Sequence, residues 1–425
     1  MANTAIRVSH GVFPADTSTF DITISGETRT PTGAVVLAVH ATALATNDDD
    51  LAVSFGVSDF TTTAVVGATS DHNDPISSDV SRIHNESTVV NILVPGAVTV
   101  SRSATVAAIA GGLRFTPVQS GTAYRIMVII VFGSACKAWS SNGDGNLAID
   151  ETFAIAHGLT TKPKAGIVFY NEEADGTAGV YHLSSGFFSD DGSIKQAAFA
   201  VRQGNGQTTT DIDGRHMSNR VAIRPDTVGA EAHGLEITAN DATNTTFTQR
   251  TAATTNKYIG LLIECDDISV DMQTINSPTS AVADWNFNGL AFQSQCAMLV
   301  LSRITAIDSA LSSSPLAGAY GVCCFDEAGA VVSVSSANED GVVIANPPNT
   351  NTSARIDSTA LFSTEDDATT DFDMDTFAFT TDGWDVLAAD INTADTTIRK
   401  WPMLAFGQAS KPMMAKMMNE GHLNG

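Results

Sequence analysis

Val36, Val168 and Val300 stand 132 residues apart, and each lies inside a short apolar run that the chain carries three times. The first run reads Thr30-Pro31-Thr32-Gly33-Ala34-Val35-Val36-Leu37. The second reads Lys162-Pro163-Lys164-Ala165-Gly166-Ile167-Val168-Phe169, and the third Ser294-Gln295-Cys296-Ala297-Met298-Leu299-Val300-Leu301. An aromatic residue precedes each run: Phe20, Phe153 and Trp285. A second box follows in the same order, ending Ser58-Asp59, Ser189-Asp190 and Phe325-Asp326. A third box closes each copy with an aromatic residue and an apolar stretch: Tyr124 to Phe132, Tyr258 to Cys265, and Trp401 to Phe406. Three boxes in one order, three times, read as tandem duplication.

The repeated unit reads as β. Val, Ile, Thr and Phe dominate the apolar runs, as a pleated surface prefers. Alternation shows in Thr376-Phe377-Ala378-Phe379-Thr380, and turn pairs recur at Asn142-Gly143, Asp175-Gly176, Asp191-Gly192, Asp213-Gly214 and Asp382-Gly383. Short strands with such punctuation predict a sandwich or barrel. The spacing therefore predicts an all-β chain of three tandem β-sandwiches of about 130 residues, over 1–140, 141–280 and 281–410, with a Met-rich tail over 411–425. Val36, Val168 and Val300, with Phe20, Phe153 and Trp285, are the expected core.

Charge narrows the function classes. The 425 residues hold 47 acidic and 22 basic side chains, a net charge of −25. Such a field disfavours nucleic acid and anionic membrane surfaces. The N-terminus lacks a basic segment followed by an apolar one, so no signal peptide is expected. The five cysteines, Cys136, Cys265, Cys296, Cys323 and Cys324, lack metal-ligand spacing and read as reduced, buried residues.

Few residues suggest chemistry. Asp371, Asp373 and Asp375 would share one face of a strand, where they are solvated or hold a cation such as calcium. Calcium is the one cofactor this pattern suggests. Asn47-Asp48-Asp49-Asp50 reads as a polar hairpin tip, and His216, near Asp211, Asp213 and Arg215, as part of a surface loop. Trp384, beside the Asp382-Gly383 turn, is the candidate platform for a glycan. Met413, Met414, Met417 and Met418 offer a soft apolar surface for subunit contacts. Hydrolase, P-loop and dinucleotide signatures are absent from the sequence, and the expectation is a protein that is not an enzyme.

The unit is seen best in its second copy, at Lys162 to Tyr170 and Ser184 to Ser193. It resembles β-sandwich modules of virion structural proteins of tailed bacteriophages, of the tail and head-decoration kinds. The resemblance covers all three copies loosely, and the third departs by Gln295 where the others have proline. It implies a non-enzymatic virion component assembled in the host cytoplasm. The expected partners are other virion proteins and further copies of the chain, as a trimer or hexamer. Two other readings stay open: an adhesin or tail module that binds a host-surface glycan or receptor, and a glycoside-active enzyme.

Overall fold

The computed structural model describes residues 4–409 apart from 46, 49, 72–78, 143–147, 173–175, 178–179, 252–255, 279–283, 312–318, 339–351, 359, 363–371 and 392–396. The chain forms six antiparallel sheets in three pairs, one seven-stranded and one four-stranded sheet to each unit. These are the three tandem β-sandwiches. Among the described residues no helix is long and apolar enough to cross a membrane.

In the first unit the large sheet runs Ala5–Phe13, Tyr124–Phe132, Pro31–Val39, Leu51–Ser58, Thr63–Ser70, Val80–Asn85. Its facing sheet runs Phe20–Thr23, Gly112–Pro117, Val100–Ile109, Val90–Leu93. The second large sheet begins Cys136–Asn142, Asn256–Ile263, Ala165–Glu172, and the third Ser269–Asn276, Lys400–Ala409, Phe292–Ser302. The first boundary, expected at residue 140, therefore falls inside the strand Cys136–Asn142 of the second unit. Ser140 and Ser141 pair with Ile259 and Tyr258 inside the second unit. Likewise Ser269–Asn276 belongs to the third unit, so the junctions fall nearer residues 134 and 268 than 140 and 280.

Burial explains why the apolar runs are continuous. Every residue of Leu51–Ser58 is buried, because each large sheet is covered on both faces. One face packs on its own four-stranded sheet. The other packs on the large sheets of the other two units, in one apolar cluster that includes Val35, Ile167 and Met298. The outer sheets keep one wet face, and Gly112–Pro117 alternates buried and exposed.

This geometry refines the repeat. Val36, Val168 and Val300 lie on equivalent strands and are fully buried. Val36 and Val168 face their own sandwiches, but Val300 faces the shared core. The register shifts between Ser294 and Cys296, and one residue of slip turns a side chain to the other face of a sheet. Leu299 is thus the partner of Val36 and Val168. Phe20 and Phe153 are half-buried rather than buried, stacked on Phe115 and Phe247 at 5.1 Å. Trp285 is buried as expected. Asp213-Gly214 is no turn; it lies within the strand Ile212–Met217.

The five cysteines are unbridged, and all but the half-buried Cys136 are buried. Adjacent Cys323 and Cys324 point to opposite faces, one into the third sandwich and one into the shared core.

Candidate functional site

The three units are joined by the same contacts at each junction. A side chain leaving the central hairpin of one unit accepts the backbone N–H of the next unit's edge strand. Asp59 Oδ2 accepts from Ala138 at 3.1 Å, Ser189 Oγ from Met272 at 3.0 Å, and Asp326 Oδ2 from Val8 at 2.9 Å. The first unit thus holds the second, the second holds the third, and the third holds the first. Ser189, not Asp190, is the equivalent of the two aspartates. Asp190 is buried and bonds within its own unit instead, to Lys162 and Asn240, each at 2.9 Å.

The far edge of each large sheet is closed by a two-residue strand given by another unit. Gly176–Thr177 pairs with Val80–Asn85, Ala310–Leu311 with Ile212–Met217, and Asn47–Asp48 with Thr352–Asp357. The sequence Asn47-Asp48-Asp49-Asp50 is therefore no simple hairpin tip, since its first two residues close the ring between the first and third units. Open sheet edges invite pairing with foreign strands; here the far edge of each large sheet pairs with a two-residue strand of another unit, and the near-edge strand gives one backbone N–H to a neighbouring unit's side chain.

At the centre Phe55 stacks on Phe169 with centroids 5.1 Å apart and tilts on Tyr320 at 5.8 Å. One aromatic residue from each unit thus meets at the shared core. The Tyr320 hydroxyl hydrogen-bonds Ser185 of the second unit.

The two capping carboxylates differ electrostatically. Burial works to raise the Asp59 carboxyl, but hydrogen bonds from Thr61, Thr62 and Ala138 outweigh it and hold it below the usual range. Burial pushes the Asp326 carboxyl up, against bonds from Val8, Ala330 and Ala328. Replacing Asp326 by alanine leaves the Val8 N–H without its acceptor at the closure of the ring. Urea unfolding is expected to show a loss of about 1–3 kcal/mol, recovered only in part by Asp326→Asn, whose single carbonyl oxygen cannot accept from Val8 on one side and from Ala328 and Ala330 on the other. A wild-type midpoint in the alanine variant would remove this contact from the account.

The sites expected from sequence fare differently. Trp384 is fully buried in the third sandwich, against Phe287 at 4.6 Å and Phe325 at 5.2 Å, and has no face for a glycan. Gly383 beside it admits a close approach rather than an exposed turn: a Cβ there would meet the Phe287 carbonyl. His216 is not in a surface loop; it is fully buried in a strand at the junction of the second and third units. Asp371 and the methionines Met413, Met414, Met417 and Met418 lie outside the described residues. Asp373 and Asp375 fall in the strand Phe372–Phe379, where the pairing register shifts on either side of Met374; their side chains are outside the description.

Sequence reasoning missed one group of metal-ligand type. His40, Asp48 and Asp50 bring one ligand atom each to within 4.8 Å of one another, with His40 Nδ1 3.0 Å from Asp48 Oδ2. These three could hold a cation, beside the strand that closes the ring. The signal was the acidic run itself, but His40 sits on the preceding strand's exit and only the fold brings it near. The chain matches no protein-family model and no curated protein sequence.

Proposed function

We propose that the chain is a non-enzymatic structural component of a tailed-bacteriophage virion, a tail or head-decoration protein that acts through protein–protein assembly. The observation that supports this is the closed ring of three sandwiches around one apolar core, with the far edge of each large sheet paired to a strand of another unit. Such a body limits stray strand pairing at its closed edges and presents three outer sheets for lateral contacts. On this reading it assembles in the host cytoplasm with other virion proteins and with further copies of itself. The Met-rich tail from Lys411 to Met418 adds to those contacts.

Antibodies raised against the recombinant chain test this on particles from a lysate of a phage that encodes it. Negative-stain images are expected to show label at a fixed place on each particle. Label confined to soluble material, with purified particles free of the chain, would overturn the proposal. Sedimentation of the full chain and of a form ending at Ser410 tests the tail. Loss of association in the shorter form is expected, and identical behaviour would remove the tail from the assembly.

A further inference from the structure

We infer that His40, Asp48 and Asp50 bind one divalent transition-metal ion of the zinc type, and that this ion clamps the strand by which the first unit closes on the third. Each residue brings one ligand atom, and the three atoms lie within 4.8 Å of one another. All three residues are half-buried. His40 follows the strand Pro31–Val39 directly, and the two aspartates stand at the end of the loop that returns to Leu51–Ser58.

One pair of donors already has nearly the spacing a metal requires. Ligands about 2.0–2.1 Å from Zn²⁺ at tetrahedral angles stand roughly 3.3 Å apart. His40 Nδ1 and Asp48 Oδ2 are 3.0 Å apart. Both groups are held from outside. The His40 ring packs on Tyr124 with centroids 4.5 Å apart. Asp48 Oδ1 accepts the Asp50 N–H at 3.2 Å, which leaves Oδ2 to the histidine. Outer contacts of this kind orient ligands around a metal.

The donor set selects the ion. Ca²⁺ takes about six to eight oxygen ligands, and Mg²⁺ likewise prefers oxygen. An imidazole beside carboxylates suits Zn²⁺ and its first-row neighbours. Three protein ligands leave a fourth position to water, an arrangement that zinc accepts. Two carboxylates this close also disfavour each other's charge, and a divalent ion between them offsets both. The field of a chain with net charge −25 draws cations to such a place.

The place of the site in the ring gives it a consequence. Asp48 lies in the two-residue strand that pairs with Ala354 and Arg355. Ala45, in the same loop, donates its N–H to the Ile356 carbonyl at 3.0 Å. An ion joining Asp48 to His40 therefore ties the closing strand to the body of the first unit. Val36, Val168 and Leu299 are equivalent, so the places four residues further on hold His40, Glu172 and Arg303. The other two closing loops lack a histidine at this place. The clamp thus belongs to the one closure that joins the first unit to the last.

Calorimetric titration of the full chain, freed of metal with a chelator, tests the assignment with ZnCl₂, CaCl₂ and MgCl₂. Zn²⁺ is expected to bind, and Ca²⁺ and Mg²⁺ at least about a hundredfold more weakly. His40→Gln keeps a donor for Asp48 but removes the metal ligand. Asp50→Asn leaves the His40–Asp48 hydrogen bond in place, so it serves if the first variant folds poorly. Each is expected to lose about tenfold or more in Zn²⁺ affinity, with a melting temperature in chelator close to that of the wild type. Hydrogen exchange reads the clamp: Zn²⁺ should slow the amides of Thr352–Asp357 in the wild type and not in the variants. Four results would each overturn the inference: no Zn²⁺ bound at ~1 mM, equal affinity in both variants, Ca²⁺ bound as tightly as Zn²⁺, or exchange in that strand unchanged by Zn²⁺. Antibody labelling of particles does not depend on this ion, so failure of either proposal leaves the other standing.

Discussion

Phe55→Ala is expected to lower the stability of all three sandwiches together. Phe55 is almost wholly buried, and it contacts Phe169 of the second unit and Tyr320 of the third. Truncating a buried phenylalanine removes its transfer free energy and leaves a cavity, at a cost of about 3–5 kcal/mol. For a chain of this length that is roughly 3–6 °C in melting temperature, from an unfolding entropy of about 2.1 cal/mol/K per residue. The form of the transition carries more information than its position. The core cluster that holds Phe55 contains residues of every unit, so calorimetry should show one transition moving as a whole. If the first unit melted alone and left the others at the wild-type temperature, the shared core would not couple them.

Acid should loosen the junction between the second and third units through His216. Burial lowers its pKa to about 4, with Asp308 acting to raise it and Lys400 to lower it. Its Nδ1 faces the Asp308 N–H at 3.5 Å and its Nε2 the Thr274 hydroxyl at 3.4 Å, both from the third unit. In the folded state the ring is therefore neutral at pH 5, while in the unfolded chain it takes a proton below about 6.5. The unfolded state binds more protons across this window, so stability is intact above pH 6.5 and falls as pH drops toward 4. The full effect is on the order of 3 kcal/mol. Other groups titrate in the same range, so the comparison is with His216→Gln. The stability difference between wild type and variant should shrink or reverse from pH 7 to 4.5, and parallel curves would sink the assignment.

The repeat and the fold class were legible because core formation leaves a strong record. The Val36, Val168 and Leu299 strands must be apolar throughout, and a run buried on both faces is hard to disguise. The same continuity hid the exact register. Within Ala297 to Leu301 no polar residue marks which face is which, so a bulge at Ser294 could shift Val300 unseen. The ring was not legible. Its closing strands Asn47–Asp48, Gly176–Thr177 and Ala310–Leu311 are two residues long and too short for any period. The sites suffered from local reasoning. A turn dipeptide beside Trp384 and three charges around His216 suggested exposure, while burial was set by strands distant in sequence.

The strand Asn47–Asp48 meets its partner more than 300 residues later, at Ala354 and Arg355. A ribosome adding about 5–20 residues per second needs roughly 15–60 s to bridge that gap. Through that interval the first unit is finished in itself, yet its inner apolar face and the edge strand Ala5–Phe13 wait for a third unit that does not exist. Chains on neighbouring ribosomes of one message are then the nearest source of the missing face. An early unit completed by a late unit from another chain makes the same contacts as the ring, but in an open series that need not end. Slowing translation near the 3′ end of the message should therefore raise the share of linked chains, with every native contact in place and only the partner wrong.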